Sequence, residues 1–258
     1  MFSAGDLQCP SDMRLVPAGR VTLGSDEGVG EADEHPSRSI YLNAYCLDTY
    51  VFANQDTTRV KTILAGQGKQ GFQLPRSPEG FDEPKQPLIA NWNQANAICN
   101  AQGKRLPTEA EFERAMRGKN GTCTYGTKSC TELKSNEALF HSNGPTANVD
   151  AYPPSDLGLY GLAGNVWQWA SDWYQKDYYQ FRGDNPQGPT DSDSRRSPWK
   201  VLKGGSWGVS REYLRATGRY ALEPDYSGVW PDAFGFRCAS TPASVKTPVR
   251  NPISGGGA

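Results

Sequence analysis

Histidine is almost missing from this chain: only His35 and His141 occur in 258 residues. A two-histidine, one-carboxylate iron site would need both of them. His35 lies in an acidic loop with Glu31, Asp33 and Glu34, and His141 lies in a polar loop, which is the setting of solvated surface histidines. A charge imbalance is missing as well. With Lys+Arg 27 against Asp+Glu 28 the net charge is -1, so no electrostatic case exists for a nucleic-acid partner or an anionic membrane surface. No apolar run approaches the ~18 residues that span a bilayer, and no charged-then-apolar leader opens the chain. An exported form would carry its signal peptide outside this sequence. No CxxC spacing occurs either, which argues against a zinc ribbon or a thioredoxin motif.

What is present points to a loop-rich globular body. Hydrophobic residues make up only 36%, while Gly (28) and Pro (19) are abundant, and 7 Trp, 12 Tyr and 9 Phe supply core material that a disordered chain lacks. The even count of six cysteines favours disulfides and an oxidising compartment, with six buried thiols in a cytosolic protein as the alternative.

Residues 1–12 read as a leader, 13–240 as one domain and 241–258, rich in Ser, Thr, Pro and Gly, as a flexible tail. Met13 to Leu23 reads as a hairpin turning at Pro17-Ala18-Gly19, and Ser39 to Leu47 as a strand. Residues 64–88 and 119–165 read as irregular. Trp92, Ala95 and Cys99 share one helical face, with Gly103 as the terminator. Thr108 and Glu111 form a capping box for a second helix, on which Phe112, Ala115 and Met116 face inward. Val201 to Lys203 and Phe234 to Cys238 read as short strands.

Several ordered blocks carry a resemblance. Gly103-Lys104-Arg105-Leu106-Pro107-Thr108-Glu109-Ala110-Glu111 is one; Gly158-Leu159-Tyr160 through Gly164-Asn165-Val166-Trp167-Gln168-Trp169, with Asp172-Trp173, is another. Asn185-Pro186-Gln187-Gly188-Pro189, Lys203-Gly204-Gly205-Ser206-Trp207 and Gly235-Phe236-Arg237-Cys238-Ala239 complete the set. Over roughly residues 10–240 the chain resembles the formylglycine-generating enzyme (sulfatase-modifying factor) family. The resemblance implies a disulfide-braced α+β fold with little regular secondary structure, related to C-type lectins. It pairs Cys99 with Cys238. Cys123 and Cys130 flank a short loop and are expected to pair locally, and Cys9 and Cys46 remain for each other.

The family's chemistry uses copper held by two thiolates from the segment after Gly-Gly-Ser, because soft Cu(I) needs soft ligands. Here that segment, Trp207 to Arg219, contains neither Cys nor His. The chain is therefore not expected to make formylglycine. The family's sulfoxide synthases place iron on a His-rich helical domain, which is not found here. The resemblance also implies a structural calcium ion on Gly161, Gly164, Val166 and Gln168. The carbonyls of Gly164 and Val166 survive, Gly161 offers no side chain, and Gln168 is a neutral amide where the family has an acid. Calcium on Gly164, Val166 and Gln168 is thus a cofactor expectation with reduced ligand charge.

The remaining site expectation is the face formed by residues 205–235. Trp207, Arg211, Tyr213, Tyr220, Tyr226 and Trp230 are of the types that dominate binding hot spots, so a protein or small-molecule ligand is expected there. Trp207 belongs equally to a structural block, and the arginines of the segment (Arg215 and Arg219 with Arg211) have Glu212, Glu223 and Asp225 as alternative partners. The function expected is that of an extracytoplasmic binding or structural module. The alternative is a divergent metal-dependent oxidoreductase, for example one in periplasmic maturation of a secondary metabolite.

Overall fold

A computed structural model describes residues 7–68, 72–181, 183–193, 198–226 and 233–244. Among the described residues, four small antiparallel or mixed sheets, three α-helices and a few short 3-10 helices make up the regular structure, and loops fill much of the rest. β2 (Met13–Val16) pairs with β5 (Tyr45–Asp48), which pairs in turn with β10 (Ala239–Ser240). β3 (Gly19–Leu23) pairs separately with β4 (Arg38–Leu42).

This corrects the expected hairpin. Pro17-Ala18 does not fold β2 onto β3 but carries the chain from one sheet to the next, and Asn43-Ala44 splits the expected second strand in the same way. The reason lies in the core: Val16, Tyr45 and Leu47 pack into one cluster, whereas Val21, Leu23, Ile40 and Leu42 pack into another. β2 follows its own apolar cluster to β5 rather than pairing with β3, its nearest neighbour in sequence.

α1 (Thr57–Gly66) has only Val60 and Leu64 buried, an apolar stripe too short to stand out in the sequence. α2 (Trp92–Ala101) begins at a capping box between Asn91 and Gln94. α3 (Glu109–Met116) has the expected Thr108/Glu111 box: Glu111 N–H donates to Thr108 Oγ1 at 3.1 Å, and Thr108 N–H to Glu111 Oε2 at 2.8 Å. All eight residues of α3 are buried, charged ones included.

The Gly/Trp block becomes β6 (Trp167–Trp173), inside a four-stranded sheet with β7 (Lys200–Lys203), β8 (Tyr220–Leu222) and β9 (Phe234–Gly235) in the order β8-β7-β6-β9. Trp167 and Trp169 join Phe234, Phe236 and Leu202 in the largest core cluster, to which α1 and α2 contribute Val60, Leu64 and Ile98. Register shifts between Trp169 and Trp173. In that irregular stretch Ser171 N–H donates to the Pro107 carbonyl and Asp172 accepts the N–H of Glu109, so the bulge docks the sheet onto the start of α3.

All six cysteines are paired: Cys99–Cys238, Cys9–Cys46 and Cys123–Cys130. The first ties α2 to the end of the chain. β1 (Leu7–Gln8) pairs with β11 (Ala243–Ser244), so the two ends of the described chain meet.

Candidate functional site

Trp167, the first residue of β6, is the floor of the site. Tyr220, at the start of β8, stacks on it with ring centroids 5.3 Å apart and planes inclined by 25°. Tyr213, in a 3-10 turn (Arg211–Leu214), meets the same indole edge-on at 6.3 Å and 73°. Trp167 is 1% exposed, whereas Tyr213 and Tyr220 are 44% and 38% exposed, so the tyrosines roof the tryptophan and present aromatic surface outward. Among the described residues the indole N–H of Trp167 has no hydrogen-bond partner. Arg211 is exposed in the same turn as Tyr213. The turn can fold this close because residue 205 is glycine: a Cβ there would stand 2.6 Å from Leu214 Cδ1, and its φ of +74° favours glycine.

The other expected residues sit elsewhere. Trp207, in the turn that follows β7, is a core residue packed with Val51, Ile89, Val166 and Ala233. Tyr226 is half-buried, with its ring edge against Phe234 at 5.5 Å. Trp230 lies outside the described residues. The arginines do not use the carboxylates nearest in sequence. Arg215 holds Glu34 with two bonds of 2.7 and 2.8 Å, and Arg219 holds Glu109 with bonds of 2.7 and 3.1 Å.

These pairs belong to a buried charge network that sequence reasoning missed, because its members are far apart along the chain. Burial works against the charge of Glu109, but Arg219 and Lys203 outweigh it and hold its pKa below the usual carboxylate range. Glu34 is likewise opposed by burial and is brought down to about 2 by Arg215, Thr217 and Ser25. Asp172 goes the other way. Burial, and then the charge of Glu109, push it up to about 7, although Glu109 N–H and Ser171 Oγ both donate to its Oδ2. Lys200 lies 3.6 Å and 4.0 Å from the ring centroids of Trp173 and Trp92, and burial lowers its pKa to about 8.

The blocks that built this architecture match a model of the sulfatase-modifying factor enzyme 1-like domain over residues 3–242. The chain belongs to that family. Formylglycine-generating enzyme of Bos taurus is 31% identical over 288 residues, covering 90% of this chain and 75% of that protein. Inactive C-alpha-formylglycine-generating enzyme 2 of Bos taurus is 30% identical over 288 residues, covering 89% and 88%. The solved structure of PvdO from Pseudomonas aeruginosa superposes with a TM-score of 0.72 over 93% of this chain and 100% of that one, at 21% identity, which shows a common fold.

In this sulfatase-modifying factor-like domain the segment after Gly204-Gly205-Ser206 buries hydrocarbon. Leu214 and Ala216 are enclosed, and Val209 packs between the two largest core clusters. Cu(I) chemistry has no soft donor in that segment. Among the described residues no three His, Cys, Asp or Glu side chains converge as a metal site.

The Gln168 and Gly164 oxygens of the expected calcium site are engaged within the chain. The side-chain oxygen of Gln168 accepts from Arg237 Nε at 2.7 Å, and its nitrogen donates to the Gly161 carbonyl at 2.8 Å. The Gly164 carbonyl accepts the N–H of Val166. The oxygen that a calcium ion would take from Gln168 is already held by the Arg237 cation, so Gln168 as it stands in this structure does not fit the role of a calcium ligand.

Proposed function

We propose that this domain is an exported, non-catalytic binding module that does not make formylglycine, and that it holds its ligand on the aromatic surface of Tyr213 and Tyr220. The observation that carries the reading is the exchange of chemistry in one segment: where two thiolates would be needed, Val209, Leu214 and Ala216 provide packing, and Tyr213 within it and Tyr220 directly after it lie on Trp167. Partly exposed rings over a rigid, buried aromatic base lose little conformational entropy on binding, which suits recognition. Arg211 beside them supplies charge-assisted hydrogen bonds to a polar or anionic ligand. Three disulfides support an oxidising compartment.

The test has two arms. The purified protein is incubated with copper(I), oxygen and a sulfatase-type cysteine peptide, and aldehyde formation is followed by mass spectrometry. No turnover is expected. Stoichiometric copper or iron in the native protein, with turnover of a thiol or phenol, would establish the oxidoreductase alternative instead. In the second arm, peptide and glycan panels are screened through the intrinsic tryptophan fluorescence. Binders should lose at least tenfold in affinity with Tyr213→Ala or Tyr220→Ala at unchanged thermal midpoint. Binders indifferent to both substitutions would refute the assignment of this surface.

A further inference from the structure

The stretch between α1 and α2 lies outside the blocks that carry the family resemblance, and part of it walls a cleft. One wall is α1, where Thr57 and Lys61 stand four residues apart and so share a face. The other is the segment from Phe72 to Ser77, and buried Leu88 lines the cleft as well. Its volume is about 640 Å³, the size of a small-molecule site.

Hydrogen bonds fix both walls. Asn54, just before α1, donates from Nδ2 to the carbonyls of Phe81 at 2.8 Å and Glu83 at 2.9 Å, and its Oδ1 accepts from Ser77 Oγ at 2.7 Å. Ser77 Oγ accepts in turn the Ile89 N–H at 2.9 Å, and Thr57 Oγ1 donates to the Asn54 carbonyl at 2.7 Å. These neutral polar groups are spent on the framework of the cleft, which is thereby preorganised.

The cations are not spent. Lys61 and Arg76 both line the cleft and are exposed, and neither has a hydrogen bond or ion pair among the described residues. Asp82 is the one acid on the lining, and its Oδ1 accepts the Gly80 N–H at 3.2 Å. Two cations against one acid make the cleft positive. Beside them Phe72 is 37% exposed, and Leu74 packs against the largest core cluster, so hydrocarbon surface adjoins the charge. Lysine and arginine together suit a carboxylate, sulfate or phosphate, and the adjoining apolar surface suits a flat carbon skeleton.

We propose that this cleft is a second binding site, for a small organic anion whose acid group sits between Lys61 and Arg76 and whose carbon skeleton lies on Phe72 and Leu74. It shares no lining residue with the aromatic surface of Tyr213 and Tyr220, and it goes beyond the function proposed for that surface.

Two dyes test it on the whole chain. 8-Anilinonaphthalene-1-sulfonate carries one sulfonate on an aromatic body, and N-phenyl-1-naphthylamine is the same body without the charge. The sulfonate should bind saturably, about tenfold or more tighter than the neutral dye, and more weakly as salt rises. Lys61→Gln with Arg76→Gln should abolish that advantage at unchanged thermal midpoint, and Tyr213→Ala should leave it in place. Equal affinity for the two dyes in the native protein, or a sulfonate preference that survives the double variant, overturns the inference. A preference that Tyr213→Ala removes belongs to the aromatic face, and the inference then fails too. Should the double variant not fold, Arg76→Gln alone, at an exposed position outside helix and strand, decides by the same criterion. Failure of the aromatic surface to bind any peptide or glycan leaves these outcomes unchanged.

Discussion

A methyl group on Gly188 would stand 2.6 Å from Oδ1 of Asp172, so the glycine of the Asn185-Pro186-Gln187-Gly188-Pro189 loop lies directly over a buried carboxyl. That oxygen has no hydrogen-bond partner among the described residues. The arrangement is compatible with a protonated acid and costly for a carboxylate.

Stability should therefore carry a signature of Asp172. Its folded pKa of about 7 lies above the ordinary 3.8. The ionisation penalty is absent below the unfolded value, grows between the two and is complete above about 7. Asp172→Asn, which cannot ionise, should gain on the native protein as pH rises through this window, by on the order of a few kcal/mol. Urea midpoints of both proteins at acid and alkaline pH check it; a difference independent of pH would contradict the assignment.

Glu34 should behave in the opposite sense. Its pKa is depressed from 4.5 to about 2, so the stabilisation from Arg215 is present above 4.5 and is lost as pH falls toward 2. Glu34→Gln leaves Arg215 without its carboxylate and should cost about 3 kcal/mol at neutral pH. The deficit should shrink toward zero near pH 2, as read from chemical unfolding at several pH values.

The disulfides should differ in worth. Cys99–Cys238 closes a loop with a sequence separation of 139, and Cys123–Cys130 one of 7. Chain-entropy arguments give about 5 kcal/mol for the first and about 2.5 kcal/mol for the second. Replacing each pair by alanines and comparing unfolding free energies should reproduce that order.

Gly164→Ala should be among the most damaging single changes. The position has φ +75°, and an added Cβ would collide with the Leu139 carbonyl, which itself accepts the Asn165 N–H. We expect a loss of more than about 3 kcal/mol, or no soluble protein, measured by thermal unfolding and expression yield.

The aromatic site was partly legible in sequence. Tyr213, Tyr220 and Arg211 stood out by type, and all three are exposed. Trp207 and Tyr226 stood out by the same criterion and are packed inward, because residue type does not say which face of an irregular loop meets solvent. Trp167 is buried; that it is the base under two exposed tyrosines follows from strand order β8-β7-β6, which no local pattern encodes.

The chain's own residues decided what acts over short range. The Thr108/Glu111 box starts α3 because both partners lie within one helical turn. The lack of Cys and His between Trp207 and Arg219 is likewise read from the chain itself, whatever the fold. Tertiary structure alone decided where charge goes. Arg215 finds Glu34 across 181 positions and Arg219 finds Glu109 across 110, and Arg237 finds the oxygens of Tyr160, Gly161 and Gln168. A buried charge takes whichever partner the packed chain brings within hydrogen-bond reach, and only closure of the core determines which that is.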